Sequence, residues 1–368
     1  MSAGPERSRQ AGPPAGSAAE GPSAGNGRPL PSWLARQLTQ LLGQRGHALL
    51  LQGPSGLGQY ELGLALARAW LCERPGEQGA CGQCASCHAI DVRTHPDLAV
   101  LMPETTSQEL GWPLDEKTQK ELEDKKRKPS RLIRVEAARS AIAFAQLTRS
   151  RGSCKVVLVY PAERMNIESA NTLLKTLEEP TGQVRFILAS EAAHQLLPTV
   201  RSRCQAHTLW WPRPQEALEW LRAVALSEGL QPADEASLQT WLRAAGGRPQ
   251  DALQWARAGL SAATWSRLPR AMAAGDWSLL SDWPLAVQLD VMQKLCHDLM
   301  AVAGGGSPRY FESAHLPPAP SWAGLARWCR DLMQAARTVD HPFQQALTQH
   351  AWSERTRERL GPAHSAAS

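Results

Sequence analysis

Apolar positions along this chain follow two rhythms. Short continuous runs at Ala48–Leu51, Leu98–Leu101, Val156–Tyr160 and Phe186–Ala189 have the length and content of strands buried on both faces. Between them, apolar residues recur three and four positions apart. Leu62, Leu66, Ala69 and Trp70 share one helical face, as do Ala170, Leu173, Leu174 and Leu177. Strands alternating with helices predict an α/β domain whose mostly parallel sheet is covered on both sides. After Pro212 only the helical spacing continues. Eleven of the fourteen tryptophans lie at or after Trp210, a density that fits the filling of interhelical cores.

This texture divides the chain. Residues 1–30 are rich in Gly, Pro, Ala and Ser and cannot bury enough surface to offset their ordering entropy, which predicts a disordered tail with order beginning near Trp33. The α/β domain is expected over 31–210. Within it the stretch 103–130 breaks the pattern and carries Lys125, Lys126, Arg127 and Lys128 after several acidic residues. It reads as a solvated, mobile insertion, with a DNA-touching loop as the competing reading. A small helical domain is expected over 211–261, a larger one over 262–361, and a frayed tail over 362–368. No internal repeat is evident.

Composition narrows the function classes. At 43% hydrophobic residues a chain of this length can build a sizeable core. A net charge of +5 is compatible with nucleic acid but does not establish contact with it. No apolar run approaches the ~18 residues of a membrane span, and the N-terminus lacks the apolar core of a secretory signal. Four of the eight cysteines cluster between Cys72 and Cys87. That clustering points to metal in a reducing compartment rather than to a disulfide scaffold, so the cytoplasm is expected.

The first candidate site follows the first strand. Gly53 to Tyr60 reads GPSGLGQY, where a phosphate-cradling GxxxxGK[ST] loop should open a helix. Gly53 and Gly58 keep the spacing, but Gln59 replaces the lysine that faces the phosphates and Tyr60 replaces the hydroxyl residue that binds Mg²⁺. The strand that usually ends in an Asp-Glu pair, one to hold metal and one to activate water, instead ends in Tyr160 and Pro161, with Glu163 two positions late. Two independent losses predict a fold kept without ATP hydrolysis.

The second candidate is the cysteine cluster. Cys81, Cys84 and Cys87 have C-x₂-C-x₂-C spacing, and Cys72 precedes them. Four thiolates suit a closed, structural tetrahedral Zn²⁺, with an iron–sulfur cluster as the competing occupant. Gly79 and Gly82 supply turn freedom, and His88 reads as a bystander. Cys154, Cys204, Cys296 and Cys329 read as packing residues.

These residues together resemble a known family. The degenerate loop, the four-cysteine module, THPDL (Thr94–Leu98), ANTLLKTLEEP (Ala170–Pro180), FILAS (Phe186–Ser190) and LLPTVRSRCQ (Leu196–Gln205) are similar to the AAA+ clamp-loader subunits of bacterial DNA polymerase III. Among these, the missing ATP chemistry resembles the delta-prime branch rather than gamma/tau. The resemblance covers roughly residues 30–210 and implies a RecA-like AAA+ sheet domain with a zinc module, then a small helical lid domain and an all-α collar domain. It implies a hetero-pentameric ring with gamma/tau ATPase and delta subunits, and contact with the sliding clamp and primed DNA through that assembly. Ser202-Arg203-Cys204 looks like the family's SRC motif, whose arginine would reach a neighbour's ATP as an arginine finger. Gly246–Pro249 resembles the second sensor region, where Gln250 stands in place of an arginine and Arg248 is out of register. The resemblance implies no ATP bound by this chain, no catalysis of its own and no membrane contact. The competing functions are an active gamma/tau-type ATPase and a zinc-module DNA-binding protein.

Overall fold

The computed structural model describes residues 29–360 apart from 45, 181, 232–233 and 340–343. The tails expected at 1–30 and 362–368 lie almost wholly outside the described residues. The described residues form two compact units. One holds 29–51 and Tyr60–His207; the other holds Gln52–Gln59 and 208–360.

The first unit is built on a five-stranded parallel sheet in the order β2-β3-β4-β1-β5, the α/β architecture that the strand–helix alternation leads one to expect. Its strands are β1 (Ala48–Gln52), β2 (Leu98–Leu101), β3 (Lys155–Val159), β4 (Val184–Ser190) and β5 (Gln205–Thr208). In-register parallel pairing places Val157 of β3 between Ala99 and Phe186. Helix α1 (Ser32–Leu42) precedes the first strand. Parallel strands need crossovers, here supplied by α2 (Gln59–Leu71), α3 (Ala85–Asp91), α4 (Glu104–Glu109), α5 (Glu116–Glu123), α6 (Val135–Gln146), α7 (Ile167–Glu178) and α8 (Pro198–Arg201). Leu50, Val157, Val159, Phe186 and Leu188 from the strands pack with Ala141, Leu173 and Leu177 from the helices. Asn166 starts α7 by accepting the Ser169 N–H at 2.8 Å, the usual service of an N-cap side chain.

The segment 103–130 holds secondary structure. It carries α4 and α5, and Arg127 bridges them, donating to Glu104 at 2.5 and 2.9 Å and to Glu121 at 2.9 Å. Of the basic run, Arg127 is thus committed to internal ion pairs.

The second unit is helical among its described residues: α9 (Pro214–Ser227), α10 (Glu235–Ala244), α11 (Pro249–Arg257), α12 (Ala262–Ala273), α13 (Leu285–Ala303), α14 (Trp322–Ala336) and α15 (Gln345–Leu360). One hydrophobic cluster runs from Ala217 to Leu360. Tryptophans fill much of it. Trp265 stacks on Phe311 at 4.6 Å and Trp255 lies 5.5 Å from Trp283. Three depart from the core-filling expectation: Trp210 (47% exposed), Trp211 (46%) and Trp322 (56%).

Candidate functional site

The cysteines come together. Cys72 follows the end of α2, Cys81 and Cys84 sit on the turn before α3, and Cys87 lies in its first turn. All four Sγ atoms lie within 4.8 Å of one another. Cys72 Sγ is 3.8 Å from the Sγ of both Cys84 and Cys87. That is far beyond the ~2.05 Å of a disulfide but equals the ~3.8 Å edge of a tetrahedron with Zn–S bonds of about 2.3 Å. The positive φ of Gly82, 74°, permits the tight turn between Cys81 and Cys84.

Backbone amides point at the sulfurs. The Cys81 and Arg74 N–H groups donate to Cys72 Sγ at 3.3 and 3.4 Å, and the Cys87 N–H donates to Cys84 Sγ at 3.4 Å. The N–H of Gln83 lowers the Cys81 thiol to about 6, whereas burial pushes Cys87 up. Glu73 ties the ends of the module by accepting the Ser86 N–H and Oγ–H, both at 3.1 Å. The donor set, its closeness and its burial fit a metal ion held by four thiolates. His88 is exposed and outside the cluster.

The phosphate loop is occupied by its own side chain. Gln59, 1% exposed, donates through Nε2 to the carbonyls of Gly53 at 2.9 Å and Pro54 at 2.7 Å. A carboxylate also stands against the loop. Asp251 accepts the Ser55 hydroxyl at 2.9 Å and pairs with Arg248 at 2.6 Å, and the Gln250 N–H donates to Gly56 O at 3.1 Å. Gly56 has φ +76°, and a Cβ there would meet Asp251 Oδ1 at 2.5 Å. A buried amide and an anion thus take the places where a phosphate would need donors and positive charge.

The other two substituted positions meet each other. Tyr60 and Tyr160 have ring centroids 5.3 Å apart. The Trp112 Nε1–H donates to Tyr60 Oη at 2.6 Å, and the Tyr160 hydroxyl donates to Glu191 at 2.8 Å. Burial raises the pKa of both phenols, and Glu191 adds to the effect on Tyr160. Glu163 is committed too: it accepts the Ser190 hydroxyl at 2.8 Å and the Glu191 N–H at 3.2 Å.

Arg203 sits just past α8. Its Nε and Nη2 donate to Glu178 Oε2 at 3.2 and 3.0 Å, and Nη1 donates to Thr199 O at 2.9 Å. Ser202 is exposed, and burial pushes the Cys204 thiol up to about 11. In this chain taken alone, then, Arg203 caps a short helix and pairs with an acid.

The sequence family described as "DNA polymerase III, delta subunit" matches residues 33–211, the span that holds the sheet, the cysteine cluster, the filled loop and Arg203. A DNA polymerase III subunit delta' from Pseudomonas aeruginosa is 39% identical over 205 residues, 55% of this chain and 56% of its own length. Residues 33–211 are thus similar to this family. A delta' subunit from Escherichia coli is 35% identical over 202 residues, 53% of this chain and 54% of its own length. A DNA polymerase III subunit tau from Escherichia coli is 29% identical over 163 residues, 44% of this chain and 21% of its own. The chain spans about half the length of the delta' relatives it matches. A solved structure of a DNA polymerase III gamma subunit-related protein from Thermotoga maritima covers 89% of this chain at 16% identity, with a TM-score of 0.47. No described helix is long and apolar enough to cross a membrane.

Two residues carry more than their sequence context announced. Asp97, within the THPDL segment of the family-matched span, is fully buried. It accepts the N–H groups of Ser150, Arg151 and Gly152 at 2.8, 2.9 and 3.3 Å, beside Lys155 at 3.8 Å. Burial pushes its pKa up, but these donors outweigh burial and hold the carboxyl below its ordinary value. Asp251 is the other, and its signal was faint: an acid three residues beyond Arg248.

Proposed function

We propose that the chain is a non-hydrolysing, delta-prime-type subunit of a bacterial DNA polymerase III clamp loader, holding no ATP of its own and acting on a neighbour's. The observation that carries the reading is the phosphate loop closed by Gln59 and faced by Asp251. It speaks against the gamma/tau-type ATPase, because turnover requires cationic groups where this loop has an amide and an anion.

In this reading Arg203, flanked by Ser202 and Cys204, works in trans. Its support is the resemblance of the SRC motif together with its setting. The side chain of Arg203 is 29% exposed and that of its partner Glu178 is 58% exposed, so exchanging the carboxylate for a γ-phosphate disturbs no core. A guanidinium there would stabilise charge on the transferring phosphoryl group. The four cysteines hold a structural zinc. Residues 31–210 form the sheet domain, 211–261 a lid and 262–361 a collar. Gamma/tau ATPase and delta subunits complete a five-membered ring in the cytoplasm, and the sliding clamp and primed DNA are met through that ring.

The test is reconstitution with the ATPase and delta subunits. Arg203→Ala is expected to leave assembly intact and to lower turnover at the one neighbouring site by ~10³-fold or more, seen as loss of that site's share of total hydrolysis. The purified chain alone should turn over no ATP. An unchanged steady rate in the reconstituted complex overturns the assignment of Arg203.

A further inference from the structure

Two cysteines outside the four-cysteine cluster, Cys296 on α13 and Cys329 on α14, meet where these helices pack. The Cys296 Sγ lies 3.9 Å from the Leu325 carbonyl, one turn before Cys329 on α14. Burial pushes the Cys296 thiol up to about 12, and the charge and hydrogen bond of the Cys329 sulfur beside it add to the rise. Both residues line one cleft of about 520 Å³. Cys296 is buried as a packing residue should be, but Cys329 is only half-buried, so a small solute can reach the pair.

Each cysteine is followed four residues later by a methionine, Met300 on α13 and Met333 on α14, and both methionines line the same cleft. Residues four apart share a helix face, and long helical side chains lean back over the preceding turn. Each thioether therefore leans toward the thiol of its own helix. Thus two thiols and two thioethers face one cleft from its two helical walls, with Ala301, Trp322 and Leu332 as apolar lining around them. His297 borders the cleft too, but its Nδ1 meets Asp298 at 2.9 Å and its ring stands edge-on to Tyr310. It does not join the thiols: among the described residues, the close group of three or more Cys, His, Asp or Glu donors is the one at Cys72–Cys87.

This donor set selects its occupant. A zinc site is built from nitrogen, thiolate and carboxylate donors, normally four of them, and here two thiols stand without such company. Thiolate and thioether together are soft donors that favour copper(I). A disulfide is the other product open to a thiol pair, but oxidation starts from a thiolate, which burial disfavours at Cys296. Copper(I) meets that difficulty directly, because the ion displaces the protons and its charge offsets that of the thiolates. We propose that Cys296 and Cys329 bind one copper(I) ion as a bis-thiolate, with Met300 and Met333 as flanking thioether donors. Two protons leave as the ion enters, and no electron is transferred. The site lies apart from the filled phosphate loop and from Arg203, so its failure leaves the clamp-loader reading standing.

The experiment uses the full chain, supplied with zinc to saturation and titrated anaerobically with copper(I) against the chelator bathocuproine disulfonate. Released zinc is read in parallel with a zinc chromophore. Wild type is expected to take up about one copper per chain without releasing zinc. Cys329→Ala, at a half-buried position, should remove that equivalent. Met300→Leu with Met333→Leu nearly conserves volume and should weaken copper binding at least about tenfold. Unchanged circular dichroism melting separates lost binding from lost folding. Copper uptake only in step with zinc release, or equal uptake by wild type and Cys329→Ala, overturns the proposal. Displacement of the copper by an equal concentration of zinc overturns the choice of ion, and full affinity in the methionine variant overturns the part given to the thioethers.

Discussion

Single side chains in this protein close what its backbone leaves open. The loop after β1 keeps glycine geometry suited to phosphate, and Gln59 turns that geometry inward by giving its amide to the Gly53 and Pro54 carbonyls. Restoring the lysine should therefore be insufficient. Gln59→Lys is expected to show no ATP binding by fluorescent-nucleotide titration, because Asp251 remains beside Gly56 and Tyr60 still cannot bind Mg²⁺. Asp97 acts by the same logic of satisfied polarity. Its buried carboxylate closes the turn at Ser150–Gly152 through three amides. Asp97→Asn, which keeps one acceptor oxygen but loses the charge, should cost about 1–3 kcal/mol in urea unfolding. Because the folded-state pKa lies below the unfolded one, this stabilisation is complete above the ordinary carboxylate range. It disappears as pH falls through the folded value, so wild type and variant should converge in acid.

Elements show which parts depend on chemistry rather than on burial. Helix α3 has only 7 residues, too short to persist by propensity alone. It is held through Cys84 at its N-cap, Cys87 inside it and the Glu73–Ser86 contacts. Metal removal should therefore melt α3 and the turn before it. Chelation is expected to abolish hydrogen-exchange protection over 72–91 while β3 and β4 keep theirs. Metal analysis should find about one zinc per chain, and Cys84→Ser should reproduce the chelated pattern. The 103–130 segment follows a different rule. With no fully buried face on α5, it relies on the Arg127 ion pairs across to Glu104.

At the scale of the molecule, each of the two compact units has a hydrophobic cluster of its own among the described residues. Separate cores predict unfolding in more than one step. The uneven distribution of tryptophan makes this measurable, since eleven of the fourteen lie at or after Trp210. Chelation should lower the transition seen by far-ultraviolet circular dichroism in the sheet unit and leave the main tryptophan-emission transition in place. Coincident shifts of both signals would show the clusters to be one cooperative body.

Four of the five strands were legible because each is a continuous apolar run, buried along nearly its whole length in β1, β3 and β4 and only partly in β2 at one sheet edge; β5, Gln-Ala-His-Thr at the other edge, has only His207 buried and leaves no such trace. The cysteine cluster was legible because thiolate spacing alone limits what the residues can do. The absences at Gln59, Tyr60, Tyr160 and Pro161 were legible for the converse reason, that ATP chemistry demands particular groups at those places. What the sequence could not give was what the substitutes do instead. Gln59 meeting its own loop, Tyr60 meeting Tyr160 across 100 residues of chain, and Asp251 meeting a loop almost 200 residues earlier are contacts between segments that only folding brings together. Local periodicity determines the elements, because it sets which side of each is apolar. The partners of single polar side chains depend on where distant segments pack, and the tertiary structure alone decides that.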